Sequence, residues 1–222
     1  MTTVGILGGT GPAGLGVAIR LACAGYEVAI GSRDAERAFE VASRLEPQGT
    51  GKVHGVSNAD AAKCDVVIVA TPWESTLETL RDVASSVENK IVVSMVNAMQ
   101  KEGREMRPVF PAAGSCAQEI AAVLPTSKIV TAFNHLPAAQ MEDLDSGINA
   151  DVILSANDND AMAEVATMVS AMPGLHAIEA GSLALAGTIE AFTSVCISVN
   201  IRNKAHSYVL SLIHISEPTR PY

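Results

Sequence analysis

The run Gly9-Thr10-Gly11-Pro12-Ala13-Gly14 has the spacing G-x-G-x-x-G and stands where an apolar strand gives way to a helix. Glycine at these three places permits a tight turn, lets the backbone come close to a pyrophosphate, and lets the helix pack closely on the strand. The helix that opens there presents free N–H groups to an anion. A second strand follows and ends in Ser32-Arg33, with Arg37 one helical turn further on. Sites for NAD place Asp or Glu at this point to hold the ribose 2′-hydroxyl. A hydroxyl and two guanidinium groups suit a 2′-phosphate instead, and no acid is present to repel it. The expected ligand is NADP.

These residues need a scaffold of alternating strands and helices, and the first half of the chain reads that way. Val4–Leu7 and Tyr26–Gly31 are the first two strands, with helix across Ala35–Leu45 and a short third strand at Lys52–Gly55. Asp65–Ala70 and Lys90–Met95 are continuous apolar runs of strand length, as in buried parallel strands, and Glu74–Val87 between them is helical. Ser115–Leu124 is a helix with Ser115 and Gln118 spaced as a capping box, followed by a strand at Lys128–Phe133. The alternation predicts an α/β fold of Rossmann type, a doubly wound parallel sheet. Asn97–Gly114 is expected to be a long loop.

The pattern changes after Pro137. An acidic loop (Glu142, Asp143, Asp145) leads to a strand at Asp151–Ala156, a helix over Asp160–Met172 and a strand at Leu175–Glu179. One long helix is expected from Ser182 to Ala205. Leu185, Ile189, Phe192, Cys196 and Val199 form a stripe on it, and Leu183, Val195, Ile197 and Ile201 lie on its other faces. A helix apolar nearly all round is expected to be buried, in part against a second subunit, giving a homodimer. Ala180–Ile201 is near membrane length, but Glu190 and many small polar residues argue for a buried helix rather than a span. Asn157–Asp160 looks like the start of a calcium loop without its glycine and distal Glu, and reads as an N-cap cluster. No metal site is expected. The divisions are residues 1–136 for an NADP-binding Rossmann domain and 137–207 for a small C-terminal α/β domain.

Composition narrows the class. Of 222 residues 48% are hydrophobic but only 4% aromatic, so the core is built from aliphatic side chains. The net charge of −9 argues against nucleic acid as a partner. The four cysteines are scattered in apolar helical stretches, as buried thiols in a reducing cytosol would be. The N-terminus enters a strand at once, so no signal peptide is expected. With the long C-terminal helix read as buried, no membrane partner is expected, and the protein is expected to be cytoplasmic.

Several pieces taken together resemble the NADPH-dependent deazaflavin reductases, the coenzyme F420:NADP oxidoreductase family. They are the turn at Gly8–Gly16, Gly31-Ser32-Arg33, Thr71-Pro72-Trp73-Glu74, Ser94–Asn97, Ala132–Ala139 (AFNHLPAA) and Asn200–His206. The resemblance covers roughly residues 2–207. It implies a Rossmann domain with a small C-terminal lid and two ligands, NADP and coenzyme F420, meeting in the cleft. By that resemblance Thr10, Ser32, Arg33 and Arg37 hold the adenosine phosphates. Thr71, Pro72, Trp73 and Asn97 flank the nicotinamide ribose and ring, and Asn134, His135, Pro137 and Ala138 line the deazaflavin side. Beyond Ser207 the chain departs from the family with YVLSLIHISEPTRPY, which reads as a foreign tail over residues 208–222.

The reaction the resemblance implies is hydride transfer between nicotinamide C4 and deazaflavin C5. Both hydride partners are cofactors, so the protein supplies binding, stacking and orientation. His135 is the one histidine in a ligand loop; it either donates to the deazaflavin ring or packs and caps the loop. Trp73 either walls the nicotinamide pocket or is a packed surface tryptophan. Lys101, Arg104 and Arg107 either attract the anionic deazaflavin tail or belong to a solvated loop. A second reading keeps the NADP site but gives it another acceptor: an imine, a ketoacid or a metal complex. A catalytic lysine on the post-Rossmann helix would favour a hydroxyacid dehydrogenase, and Lys204, the only one there, lies at the far end. A third reading is a non-enzymatic NADP sensor.

Overall fold

The structure, a computed structural model, describes residues 2–45 and 50–211. Six strands form the parallel sheet anticipated above: β1 (Thr3–Leu7), β2 (Glu27–Ser32), β3 (Lys52–Ser57), β4 (Val66–Val69), β5 (Ile91–Ser94) and β8 (Lys128–Thr131). Their order across the sheet is β3-β2-β1-β4-β5-β8. Direction of winding reverses between β1 and β4, and in open α/β sheets a crevice forms at that point beyond the carboxyl ends of the strands. Alternate residues serve two cores. Val4, Ile6, Val66 and Ile68 pack under α1 (Pro12–Cys23), while Leu7, Val67 and Val69 pack under α4 (Trp73–Asp82) and α5 (Cys116–Val123).

The segment after β8 continues this same sheet. β9 (Ala150–Ala156) pairs antiparallel with β8, and β10 (Leu175–Gly181) lies parallel to β9 on its outer side. The pairs Val130–Ala156 and Thr131–Ser155 fix the β8–β9 register. Carrying that register forward sets Asp151 opposite His135, so β9 overhangs the top edge of the sheet beside the crevice. Helix α7 (Asn159–Ser170) covers the pair, and Asp158 caps it through Ala161 N at 2.8 Å, as the N-cap reading expected. The boundary drawn at residues 136–137 thus falls in a loop between two parts of one continuous sheet. Val209 accepts a hydrogen bond from Asp151 N at 2.8 Å, so the segment after Ser207 runs beside β9. Residues 212–222 of the tail lie outside the described residues.

Four expectations need correction. Residues 97–114 are not a plain loop: β6 (Met99–Glu102) and β7 (Glu105–Pro108) form a hairpin around Gly103-Arg104, with Gly103 at φ +60°. Its strands carry charged, exposed residues, which hid them from a reading based on apolar runs. The acidic loop contains α6 (Ala138–Glu142), and a one-turn helix α3 (Asn58–Ala61) follows β3. Buried Arg20 on α1 holds α6 in place, donating from Nε to Met141 O (2.9 Å) and from Nη2 to Gln140 O (2.7 Å). The predicted helix 182–205 divides into a 3-10 turn, Leu183–Leu185, and α8 (Ala186–Asn203). Finally, α8 is not buried all round. Ile189 and Cys196 are buried, but Leu185, Phe192, Val195 and Val199 are exposed, Val195 by 53%. Glu190 is buried and its carboxylate accepts from Cys116 N (2.8 Å) and Ala117 N (3.0 Å), capping α5 from another helix.

Candidate functional site

A cleft of about 580 Å³ lies at the β1–β4 reversal. That is an ordinary size for a small-molecule site. Its floor is the turn from Gly8 to Gly14, one end is Ser32, Arg33, Arg37 and Asn58, and the other is Thr71–Ser75, Met95–Asn97, Met99 and Ile197. Ser32 ends β2, and Thr71 and Met95 follow the ends of β4 and β5, while α8 reaches over the far end through Ile197.

The turn is built for close approach. Gly8 sits at φ +68°, and a Cβ on Gly14 would lie 2.7 Å from Gly9 Cα, so α1 and the turn touch only because both residues are glycine. Gly11 differs. A Cβ there would meet nothing nearer than Gly8 O at 4.0 Å, so its open side faces the cleft. Gly11 is also the N-cap of α1, with no side chain capping it and no acid in the first turn. The first N–H groups of α1 are therefore left for an anion, which the helix dipole also favours. Gly9 is buried beneath this turn.

At the basic end, Arg33 and Arg37 are exposed, and among the described residues neither forms an ion pair. The nearest acid in sequence, Asp34, is engaged as the N-cap of α2 (Ala35–Ala42), accepting from Arg37 N at 3.1 Å. Ser32 Oγ accepts from Asp34 N at 3.1 Å, which leaves its proton for a ligand. Two free guanidinium groups and a hydroxyl beside an uncapped helix fit the phosphates of NADP.

Trp73, the only tryptophan in the chain, is half-buried at the start of α4 and faces the cleft, as does Pro72. Thr71 is held by Thr76, Oγ1 to Oγ1 at 2.8 Å; Thr76 in turn donates to Pro72 O at 3.0 Å. Asn97 lines the cleft and is locked to Asn134 behind it. The residues expected from sequence thus fall into two groups. Gly11, Thr10, Pro12, Ala13, Gly14, Ser32, Arg33, Arg37, Thr71, Pro72, Trp73 and Asn97 line one cleft. Asn134, His135, Pro137 and Ala138 do not line it. Asn134 and His135 are buried, Pro137 caps α6, and Ala138 opens it.

His135 is 3% exposed, and its Nε2 lies 2.9 Å from Asp151 O. A carbonyl only accepts, so Nε2 carries the proton. Nδ1 has no partner among the described residues. Burial holds the imidazole below its usual pKa, against a smaller opposing effect of the Asp151 carbonyl. The unfolded chain therefore binds a proton at about pH 6.5 while the folded chain still refuses it. Stability supplied by neutral His135 is complete above that pH and is lost as pH falls below it, by at most about 1.4 kcal/mol per pH unit. Thermal melting between pH 7.5 and 5.5 should show this decline, and His135→Asn should make it shallower. An unchanged slope in the variant would contradict the burial argument.

Asn58, Met95, Val96, Met99 and Ile197 were not anticipated. Asn58 Oδ1 accepts from Gly8 N at 3.1 Å and so braces the glycine turn from α3. Its only sequence signal is its place just after a strand of the sheet, where functional residues of α/β folds collect. Ile197 was legible only as part of an apolar helix.

Comparison with known proteins gives three kinds of likeness. The profile of a family described as "NADP oxidoreductase coenzyme F420-dependent" matches residues 3–98. The F420-dependent NADP reductase of Methanocaldococcus jannaschii is 37% identical over 210 residues, covering 91% of this chain and 94% of that protein. The enzyme of the same name from Methanothermobacter thermautotrophicus is 32% identical over 222 residues, with 96% of each chain covered. Among solved structures, an Arthrobacter sp. FB24 protein whose assignment as an F420-dependent NADP reductase is provisional superposes with a TM-score of 0.79. It is 26% identical, and the match covers 94% of this chain and 97% of that one.

Proposed function

Because the chain belongs to the F420-dependent NADP reductase family, we propose that it is an oxidoreductase carrying a hydride between NADP(H) and coenzyme F420. One observation carries the reading beyond family membership: a single cleft joins a basic end, without an acidic partner among the described residues, to a largely apolar end whose lining has no histidine, cysteine or lysine and one carboxylate, Glu74. That lining suits a reaction in which the ligands supply the reactive atoms and the protein supplies binding and alignment. NADPH when bound supplies the hydride with its electron pair.

The chain's own part follows from the geometry. Arg33, Arg37 and Ser32 hold the 2′-phosphate, and the N-terminus of α1 with Thr10 to Gly14 holds the pyrophosphate. Thr71, Trp73 and Asn97 wall the nicotinamide. Met95, Val96, Met99 and Ile197 close the far end with apolar surface and exclude water there, where the second ligand is to meet the first. His135, Pro137 and Ala138 act at one remove, shaping the segment between β8 and α6. The division at residues 136–137 is retained as a functional one, with the C-terminal part closing the cleft through α8, and residues 208–222 as a foreign tail. The setting is cytoplasmic. Absorbance of F420 at its deazaflavin band on addition of NADPH tests the activity. Loss of that band supports the reading. Tight NADPH binding without any change would favour another acceptor or a sensor.

We further propose a homodimer built on α8. Leu185, Phe192 and Val199 recur every seven residues and share an exposed face with Val195. A contiguous apolar face of this kind on an otherwise acidic protein suits a two-fold contact with a second copy. Light scattering at micromolar concentration should give a dimer, and Phe192→Asp should give a monomer. A monomeric parent protein would refute this.

A further inference from the structure

Asn97 faces the cleft, yet a carboxamide is nearly symmetric in shape, and a half-turn exchanges its donor for its acceptor. Something must distinguish the two ends if the side chain is to read a ligand. The structure supplies it from behind. Asn134 is 4% exposed, does not line the cleft, and hydrogen-bonds to two residues that do, Val96 and Asn97. Its Nδ2 donates to Val96 O at 3.2 Å and to Asn97 Oδ1 at 3.3 Å, while its Oδ1 accepts from the buried Thr131 hydroxyl at 2.7 Å. Asn97 Nδ2 in turn donates to Asn134 O at 2.9 Å. Two of these acceptors, Val96 O and Asn134 O, are backbone carbonyls that cannot donate. Turning either amide over would set oxygen against oxygen in a buried place, which is strongly unfavourable.

Two further features hold the arrangement. Thr193 on α8 donates to the same Asn134 carbonyl at 3.1 Å, tying the long helix to it. Phe133, buried and bulky, sits at φ +64°, a left-handed conformation such residues rarely adopt. That turn ends β8 and aims both the side chain and the carbonyl of Asn134 at residues 96–97. Strain of this kind persists where the surroundings over-determine it, and it often accompanies a functional constraint.

We propose that Asn134 is a positioning residue that fixes the donor and acceptor ends of Asn97, so that Asn97 reads the carboxamide of the nicotinamide ring and selects which ring face points to the acceptor. The proposal rests on the nicotinamide reading of this end of the cleft. With both amides locked, Asn97 retains one Oδ1 lone pair and an N–H only loosely directed at Met95 O, 3.5 Å away. A ligand group offering both a donor and an acceptor fits that remainder, as a carboxamide does.

The test is a double-mutant cycle of Asn134→Asp and Asn97→Ala. Asp is isosteric with Asn but cannot donate to Val96 O or Asn97 Oδ1. NADPH affinity is read from the fluorescence of Trp73, and facial selectivity from NADPH deuterated at one or the other C4 position. Asn134→Asp alone should raise the NADPH dissociation constant about 10-fold and let label from the disfavoured face appear in reduced F420. In the Asn97→Ala background the same change should alter affinity less than about 2-fold. Additive losses, or intact facial selectivity in Asn134→Asp, would show a merely structural role and overturn the proposal. If Asn134→Asp does not fold, Thr131→Val loosens Asn134 from its other side. It should raise the constant about 3-fold in the parent and leave the Asn97→Ala protein unchanged; equal effects in both would again refute the idea. Should the parent bind NADPH but never reduce F420, the activity proposed above fails while the affinity cycle still decides this one.

Discussion

Replacing Arg33 and Arg37 together by alanine is expected to weaken NADPH binding by about 2–4 kcal/mol, roughly 30- to 1,000-fold, and to leave NADH binding nearly unchanged. The two guanidinium groups line the basic end of the cleft and have no acidic partner among the described residues. Their charge is therefore available to a 2′-phosphate and to nothing else nearby. Both are exposed, so the interaction is screened, and the difference between parent and variant should shrink as salt rises. Folding should be unaffected, since neither side chain is buried. Isothermal titration with both nucleotides at two ionic strengths measures all of this. An equal loss for NADPH and NADH would mean that the arginines hold the pyrophosphate or the turn, and that the choice of NADP has another source.

Gly11→Ala should separate folding from binding. The backbone at Gly11 has φ −83° and ψ 161°, which alanine adopts freely. The added methyl would meet no protein atom closer than 4.0 Å. The unliganded variant should thus melt within about 1 °C of the parent, or slightly higher through reduced freedom of the unfolded chain. Its methyl group projects into the cleft at the proposed pyrophosphate site, and overpacking of a close contact costs about 1–3 kcal/mol. NADPH affinity should fall about 10- to 100-fold. Gly14→Ala is the contrast: its Cβ would stand 2.7 Å from Gly9 Cα, so that variant should lose stability as well. Thermal melting with and without NADPH distinguishes the two. Normal nucleotide binding by Gly11→Ala would remove the glycine turn from the site.

The parts of this site that sequence made legible are those where backbone geometry dictates residue type. Gly9 and Gly14 have to be glycine because a Cβ would strike protein atoms less than 3.0 Å away, Gly11 keeps its open side toward the cleft, and Ser32, Arg33 and Arg37 follow a strand end at a fixed distance. Five of the six parallel strands were readable because they are buried on both faces and so appear as apolar runs; β3, a partly exposed edge strand, was readable only as a short stretch. The hairpin β6–β7 was not, because its strands are exposed and charged and its pairing is set by one turn. The antiparallel entry of β9 also left no mark, since strand direction in a sheet is a long-range property. His135 and Asn134 were recognisable as special but not in their roles. Whether a polar side chain faces a cleft or braces a neighbour depends on the left-handed turn at Phe133 and on the register of β9, and neither can be read from local residue types.

The central claim, that the cleft aligns two ligands for direct hydride transfer, is tested most directly with NADPH carrying deuterium at nicotinamide C4. Reacting carbons aligned for transfer stand about 3–3.5 Å apart, which leaves no space for water between them. Incubation with F420 in ordinary water, followed by mass spectrometry of the reduced deazaflavin, should find the label at C5 from one C4 face only, without washout. Reduced F420 lacking the label, or labelled instead from deuterated solvent, would contradict direct transfer in this cleft.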